Sequence, residues 1–129
     1  MTKRGFKTMM AEANAVIETV SVQDALALVG DPGVVFVDVR ETVELQNGGT
    51  VAGALHAPRG FLEFLADPES PMHKAELSSD KRLVLFCASG GRSTFAAKTL
   101  SEMGIEKVCH IAGGFSAWKQ AGGPIQAAG

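Results

Sequence analysis

Two runs without a polar residue, Val34-Val35-Phe36-Val37 and Leu83-Val84-Leu85-Phe86, constrain the fold of this chain more than any other feature. Each is too short for a helix and too rich in β-branched or aromatic residues for a loop, which leaves a strand covered on both faces. Such strands belong in a parallel sheet, whose members need crossover helices between them. The intervening sequence supplies those helices. Ser21 stands as an N-cap, Val22, Ala25, Leu26 and Leu28-Val29 form an inward stripe, and Gly30-Asp31-Pro32-Gly33 stops the helix. Glu41 to Gln46 gives a short helix before the breaker Asn47-Gly48-Gly49, and Arg59 to Leu65 gives another apolar face. A polar loop then runs from Asp67 to Asp80, broken by Pro68 and Pro71. Phe95, Ala96, Leu100 and Met103 recur at helical spacing, with Gly104 just past the end. Val16 to Val20, a short strand within Thr50 to Pro58, and Ile105 to Ile111 complete the strand set. Ala112-Gly113-Gly114 turns the chain into a last helix whose Phe115 and Trp118 read as core. The pattern predicts an α/β domain with a parallel sheet and helices on both faces, where ligands gather beyond the strand C-termini.

At 129 residues the chain has the length of one domain, and its 46% hydrophobic content is enough for a core without staples. We read 16–123 as that domain, 1–15 as an N-terminal arm or short helix, and 124–129 as a loose tail. A net charge of −2 argues against nucleic acid or an anionic membrane as partner. Residues 1–15 begin with basic residues but lead into no apolar segment, so no secretory signal is expected, and no stretch reaches transmembrane length. Two cysteines far apart, without CxxC spacing, predict neither a disulfide framework nor a metal site and fit a reducing, cytoplasmic setting. Nothing in the sequence fixes the oligomeric state.

Cys87 ends the second apolar run and opens Cys87-Ala88-Ser89-Gly90-Gly91-Arg92-Ser93, immediately before a helix. Most free cysteines are small buried hydrophobes. Here two adjacent glycines let the turn curl until several N–H groups of the helix N-terminus converge on one point, a place that holds sulfur as an anion. The thiolate is the nucleophilic form, and the fork of donors on Arg92 suits an oxyanion. Cys87 is thus the candidate catalytic residue, and Ala88, Ser89, Gly90, Gly91, Arg92 and Ser93 the candidate substrate-binding loop, with Ser93 expected to cap the helix and its hydroxyl also to face the sulfur. Asp38 lies at a second strand end, where it is either a turn-capping carboxylate or a supporting catalytic group. Arg40 beside it forms either a surface ion pair with Glu41 or part of the site, and Arg59 is either a second cation or an exposed cap. His56 reads as a structural hydrogen-bonder in preference to a base for the cysteine, Cys109 as buried and inert, and His110 as filler.

The ordered set Asp38-Val39-Arg40-Glu41, Gly49 to Ala54, Cys87 to Ser93 and Gly113-Gly114-Phe115-Ser116-Ala117-Trp118 resembles the rhodanese-like domains. The resemblance covers the chain from about Val16 onward. It implies a three-layer α/β/α fold around a five-stranded parallel sheet of order 1-5-4-2-3. It also implies sulfur transfer: the loop cysteine takes a sulfane sulfur from a donor such as thiosulfate, becomes a persulfide, and passes the sulfur to a small thiol, cyanide or a protein thiol, without metal or cofactor. Two alternatives keep the fold: a persulfide carrier or regulatory binding module without turnover, and a phosphatase or arsenate reductase. The related cell-cycle phosphatases and arsenate reductases carry Cys-x5-Arg, a ring wide enough for a tetrahedral oxyanion, whereas Cys87 to Arg92 is Cys-x4-Arg. The family's Gly-His-Ile-Pro-Gly-Ala stretch is Gly49-Thr50-Val51-Ala52-Gly53-Ala54 here, without its histidine and proline. The loop also carries no second cation besides Arg92, which makes thiosulfate less suited as a physiological donor than as a laboratory one.

Overall fold

The computed structural model describes residues 3–127. Its strands are β1 (Glu18–Val20), β2 (Val34–Asp38), β3 (Thr50–Val51), β4 (Leu55–His56), β5 (Arg82–Phe86), β6 (Val108–Ile111) and β7 (Ile125–Gln126). Its helices are α1 (Phe6–Asn14), α2 (Val22–Leu26), α3 (Thr42–Gly48), α4 (Leu62–Ala66), α5 (Gly91–Glu102) and α6 (Gly114–Gln120), with 3₁₀ turns at Arg59–Phe61 and Ala75–Leu77. Five strands form one parallel sheet in the order β1-β6-β5-β2-β4. Counted along the chain this is the expected order 1-5-4-2-3.

The two apolar runs lie side by side at its centre, Val34 opposite Arg82 and Asp38 opposite Phe86. Alternation sends Val37, Leu83 and Leu85 to one face, where they meet Leu62, Leu65, Ala96, Ala97 and Leu100 of α4 and α5. Phe36, Val84 and Phe86 go to the other, against Ala25, Phe115 and Trp118 of α2 and α6. Burial on both faces is why the runs 34–37 and 83–86 carry no polar residue. One consequence governs function: Asp38 and Cys87 emerge together at the C-terminal edge of the central pair.

Both ends of the chain contribute to this fold. Within 1–15, α1 packs on α5, with Ala13 buried. The stretch 124–129, expected to be loose, contains β7, which pairs antiparallel with β3 through Thr50–Gln126 and Val51–Ile125. Pro124 accepts from the Trp118 indole at 3.0 Å, and Gln126 Oε1 accepts from the Gly53 N–H at 3.0 Å. The pairing is unreadable from a two-residue strand, since Gly49, at φ +76° and with any Cβ falling 2.6 Å from the Gln126 carbonyl, makes the close approach. Residues 128–129 lie outside the described residues. Among those described, no helix is long and apolar enough to cross a membrane.

Candidate active site

The loop after β5 folds around the Cys87 sulfur. Gly90, at φ +117°, takes the N-cap position of α5, so the helix begins at Gly91 and its first N–H groups turn inward. Sγ accepts from the Gly90 N–H at 3.1 Å and the Ser93 N–H at 3.4 Å, and lies 3.6 Å from the Ser93 hydroxyl. Contrary to expectation, Ser93 does not cap the helix, whose N-cap is Gly90. It stands three residues inside, buried, with its hydroxyl on the sulfur side.

The carbonyl groups of the loop are drawn the other way. Cys87 O accepts from the Phe115 N–H at 2.8 Å and Ala88 O from the Ser116 N–H at 3.1 Å, so the N-terminus of α6 holds them away from the sulfur. Gly114 permits that approach: a Cβ there would fall 2.5 Å from Cys87 O. The result is a one-sided electrostatic environment. Cys87 is only 1% exposed, and that burial raises its pKa; the hydrogen bonds from the Ser93 N–H and hydroxyl and the Gly90 and Ser89 N–H groups outweigh it and hold the thiol below the ordinary cysteine value.

Arg92 does not stand free at the rim. Its Nη1 and Nη2 donate to the two Glu44 oxygens at 2.6 and 2.9 Å, a bidentate pair reaching across to α3. That pair holds the Glu44 carboxyl down at about 2. Glu44 is itself fixed by a capping box, its Oε1 accepting from the Glu41 N–H at 3.0 Å. A cavity of about 330 Å³ opens beside the pair, with Ala88, Phe115, Ser116 and Lys119 on one wall and Arg40, Glu44 and Asn47 on the other. A larger depression of about 530 Å³ lies at the far end of the strands, by Asp67, Lys81, Gly104 and Lys107, and has no cysteine in its lining.

The three supporting candidates have other uses. Asp38, fully buried, accepts from the Arg40 N–H at 3.0 Å, from its guanidinium at 2.9–3.2 Å, and from the Thr50 hydroxyl at 2.7 Å. Arg40 is thus paired with Asp38 and not with Glu41; it also donates to Gly49 O at 2.7 Å and lies 4.3 Å from the Phe115 ring centre. This buried unit ties the α3–β3 turn to β2 and supports α6 from beneath. Arg59 is engaged by Glu63 at 2.9 Å and the Thr99 hydroxyl at 3.0 Å. Thr99 lies about 12 Å along α5 from its first residue, so Arg59 does not join the loop. His56 bonds the Arg40 carbonyl at 2.7 Å, a structural role as expected. Cys109 is buried, and that burial raises its thiol pKa.

Two residues at the site, Glu44 and His110, escape sequence reasoning. His110 is not filler: its Nδ1 lies 2.8 Å from Ser93 Oγ and its Nε2 3.0 Å from Thr19 Oγ1. The readable signals were slight. Glu44 stands three residues after Glu41 at a helix start, and His110 is the one polar residue of Val108-Cys109-His110-Ile111.

Residues 21–121 match the family described as the rhodanese-like domain. The chain belongs to the rhodanese family. It is 32% identical over 111 residues to a sulfurtransferase of Allochromatium vinosum, covering 86% of this chain and 94% of that one. With a tRNA uridine(34) hydroxylase of Mesorhizobium japonicum it shares 37% identity over 89 residues, 68% of this chain but only 28% of that one. Among solved structures, a Rhodopseudomonas palustris protein described as of unknown function and a possible tyrosine phosphatase is similar at 47% identity and a TM-score of 0.94, covering 98% of this chain and 97% of that one. The polysulfide-sulfur transferase homodimer of Wolinella succinogenes is similar at 30% identity and a TM-score of 0.75, covering 95% and 88%.

Proposed function

We propose that this rhodanese-family protein is a sulfurtransferase that carries a sulfane sulfur on Cys87. The observation that carries the reading is the convergence of the Gly90 and Ser93 N–H donors on one buried sulfur, with the Ser93 hydroxyl 3.6 Å from it. Such a ring stabilises a thiolate and, once loaded, the anionic outer sulfur of a persulfide. In the first step the thiolate attacks the outer sulfur of the donor, the donor's S–S bond breaks, and its electron pair leaves on sulfite when the donor is thiosulfate. In the second, a small thiol, cyanide or a protein thiol attacks the outer sulfur of the persulfide and returns Cys87 as thiolate. Two free cysteines fit a reducing, cytoplasmic setting for this chemistry.

The Arg92–Glu44 pair alters the expectation for the donor. A guanidinium already gripped by a carboxylate offers little net charge to an anion, so thiosulfate must compete with Glu44. Donors with less charge near the reacting sulfur suit this rim better. Phosphate monoester chemistry is the rival, given the description of the Rhodopseudomonas palustris relative. Four residues between Cys87 and Arg92, and a cation occupied by Glu44, disfavour a tetrahedral oxyanion.

Intact mass before and after excess thiosulfate, beside a Cys87→Ser variant, tests the reading. Expected is a gain of one sulfur on the parent alone, lost on adding cyanide as thiocyanate forms repeatedly. Loading without repeated thiocyanate formation would make the domain a carrier. No loading from thiosulfate or polysulfide, with release of phosphate from an aryl phosphate, would overturn the proposal.

A further inference from the structure

Behind the candidate nucleophile runs a line of polar atoms that sulfur transfer as written above does not use. Cys87 Sγ lies 3.6 Å from Ser93 Oγ, Ser93 Oγ lies 2.8 Å from His110 Nδ1, and His110 Nε2 lies 3.0 Å from Thr19 Oγ1. The first three residues are buried, whereas Thr19 is exposed. Four side chains from the Cys87 loop, α5, β6 and β1 thus connect a sulfur with almost no solvent contact to the surface. Ser93 has one other acceptor in reach, the Gly90 carbonyl at 3.3 Å.

The order of the atoms limits what the imidazole can do. A neutral imidazole carries one N–H, on either nitrogen. With the proton on Nε2, that nitrogen donates to Thr19, and Nδ1 accepts the Ser93 hydroxyl, whose oxygen faces a protonated thiol. With the proton on Nδ1, that nitrogen donates to Ser93 Oγ, and the serine hydroxyl is released to point at a thiolate. The two states of Cys87 therefore select opposite tautomers.

We propose that His110 is a positioning residue for Cys87, acting through Ser93: its tautomer sets the direction of the Ser93 hydroxyl, and the line carries the thiol proton to Thr19 and out to water. Each hop breaks one bond to hydrogen and forms another: S–H to Ser93 Oγ, Ser93 O–H to Nδ1, Nε2–H to Thr19 Oγ1, Thr19 O–H to water. The imidazole ends neutral with its proton on Nδ1, and Cys87 ends as thiolate held by the Ser93 hydroxyl and the loop N–H groups. The bearing of this on turnover rests on the sulfur-transfer reading; the relay itself does not.

The surroundings favour a neutral ring. The neighbouring strands place Thr19 and Leu85 opposite His110, and α5 presents Ser93. Cys87 is the titratable group that the line reaches. Glu18 and Arg82 pair with each other in register with Cys109 and its neighbours, and the Cys109 side chain packs into the opposite face of the sheet. The charged Lys7 and Glu12 of α1, which packs on α5, are exposed. Burial lowers the His110 pKa, so the ring does not trap the proton it passes.

Imidazole nitrogen NMR on histidine-labelled protein, with the Cys87 titration followed in parallel by iodoacetamide alkylation, tests this without any sulfur donor. His110 is expected to change from the Nε2–H to the Nδ1–H form with the same midpoint as Cys87. His110→Asn, whose side-chain oxygen falls near the Nδ1 position, is expected to alkylate within threefold of the parent. His110→Leu is expected to slow alkylation about tenfold below the midpoint. A single His110 tautomer throughout the Cys87 titration would overturn the relay, and so would a His110→Leu profile superimposed on that of the parent. Should His110→Leu fail to fold, the labelled parent and His110→Asn still decide. A relay that behaves as expected in a protein that loads no sulfur would overturn only the reading of function.

Discussion

Replacing Glu44 by Gln should improve the handling of an anionic donor at a small cost in stability. Glu44→Gln keeps the side-chain oxygen that accepts from the Glu41 N–H, so the start of α3 survives, but it removes the charge that neutralises Arg92. A donor anion bound to Arg92 would sit about one guanidinium away from the Glu44 carboxylate, about 6 Å. At that distance two unit charges repel by about 0.7–2.8 kcal/mol for an effective dielectric between water and the protein surface. The Arg92 and Glu44 side chains are 40% and 29% exposed, which favours the lower part of that range. The expected result is a KM for thiosulfate about 3–10-fold lower, with kcat within about twofold, measured as the initial rate of thiocyanate formation. An uncharged organic polysulfide should show no such gain. Loss of a partly exposed ion pair costs about 0.5–1 kcal/mol, read from denaturant unfolding. A KM for thiosulfate that stays constant or rises would refute the reasoning, because the donor would then not feel the charge at Glu44 or would need that carboxylate to position Arg92.

Four further outcomes follow from the geometry. Asp38→Asn leaves the buried Arg40 charge uncompensated and should cost about 3–5 kcal/mol in urea unfolding, far more than an exposed pair. Gly114→Ala drives a Cβ against Cys87 O at a backbone φ of +57°, and overpacking plus conformational strain should cost about 2–4 kcal/mol together with loss of the alkylation profile of Cys87. The Glu44 pKa is lowered on folding from 4.5 to about 2, so the stability it contributes is fully present above pH 4.5 and is lost as pH falls through about 2; unfolding curves of the parent and Glu44→Gln should converge across that window. Ser93→Ala removes the hydroxyl donor to Cys87 while leaving the backbone N–H, so the midpoint for iodoacetamide alkylation should rise toward that of an ordinary thiol without reaching it.

What the sequence disclosed and what it concealed divide along one physical line. The strand runs 34–37 and 83–86, the stop at Gly104 and the helix after Cys87 are local patterns, and each depends on residues within a few positions of one another. The Cys87 loop was legible for the same reason: its donors come from the next six residues. What was misjudged was what distant residues do to it. Arg92 looked like a free rim cation because its partner is 48 positions away on α3, and Arg40 looked like a surface partner of Glu41 because neighbouring charges invite pairing. His110 looked like filler because its partners, Ser93 and Thr19, are 17 and 91 positions away and meet only when β1, β6 and α5 come together. The β3–β7 pair was hidden likewise, two residues against two across the length of the domain. Burial makes these distant pairings compulsory, because a buried carboxylate, guanidinium or imidazole must find a partner. Asp38, Arg40 and His110 fall in or directly beside apolar strands, which is itself a readable sign that each is partnered elsewhere. Naming the partner requires the sheet order, and once that order is 1-5-4-2-3, β1 and β6 are neighbours and a polar residue on β1 becomes the natural partner for His110.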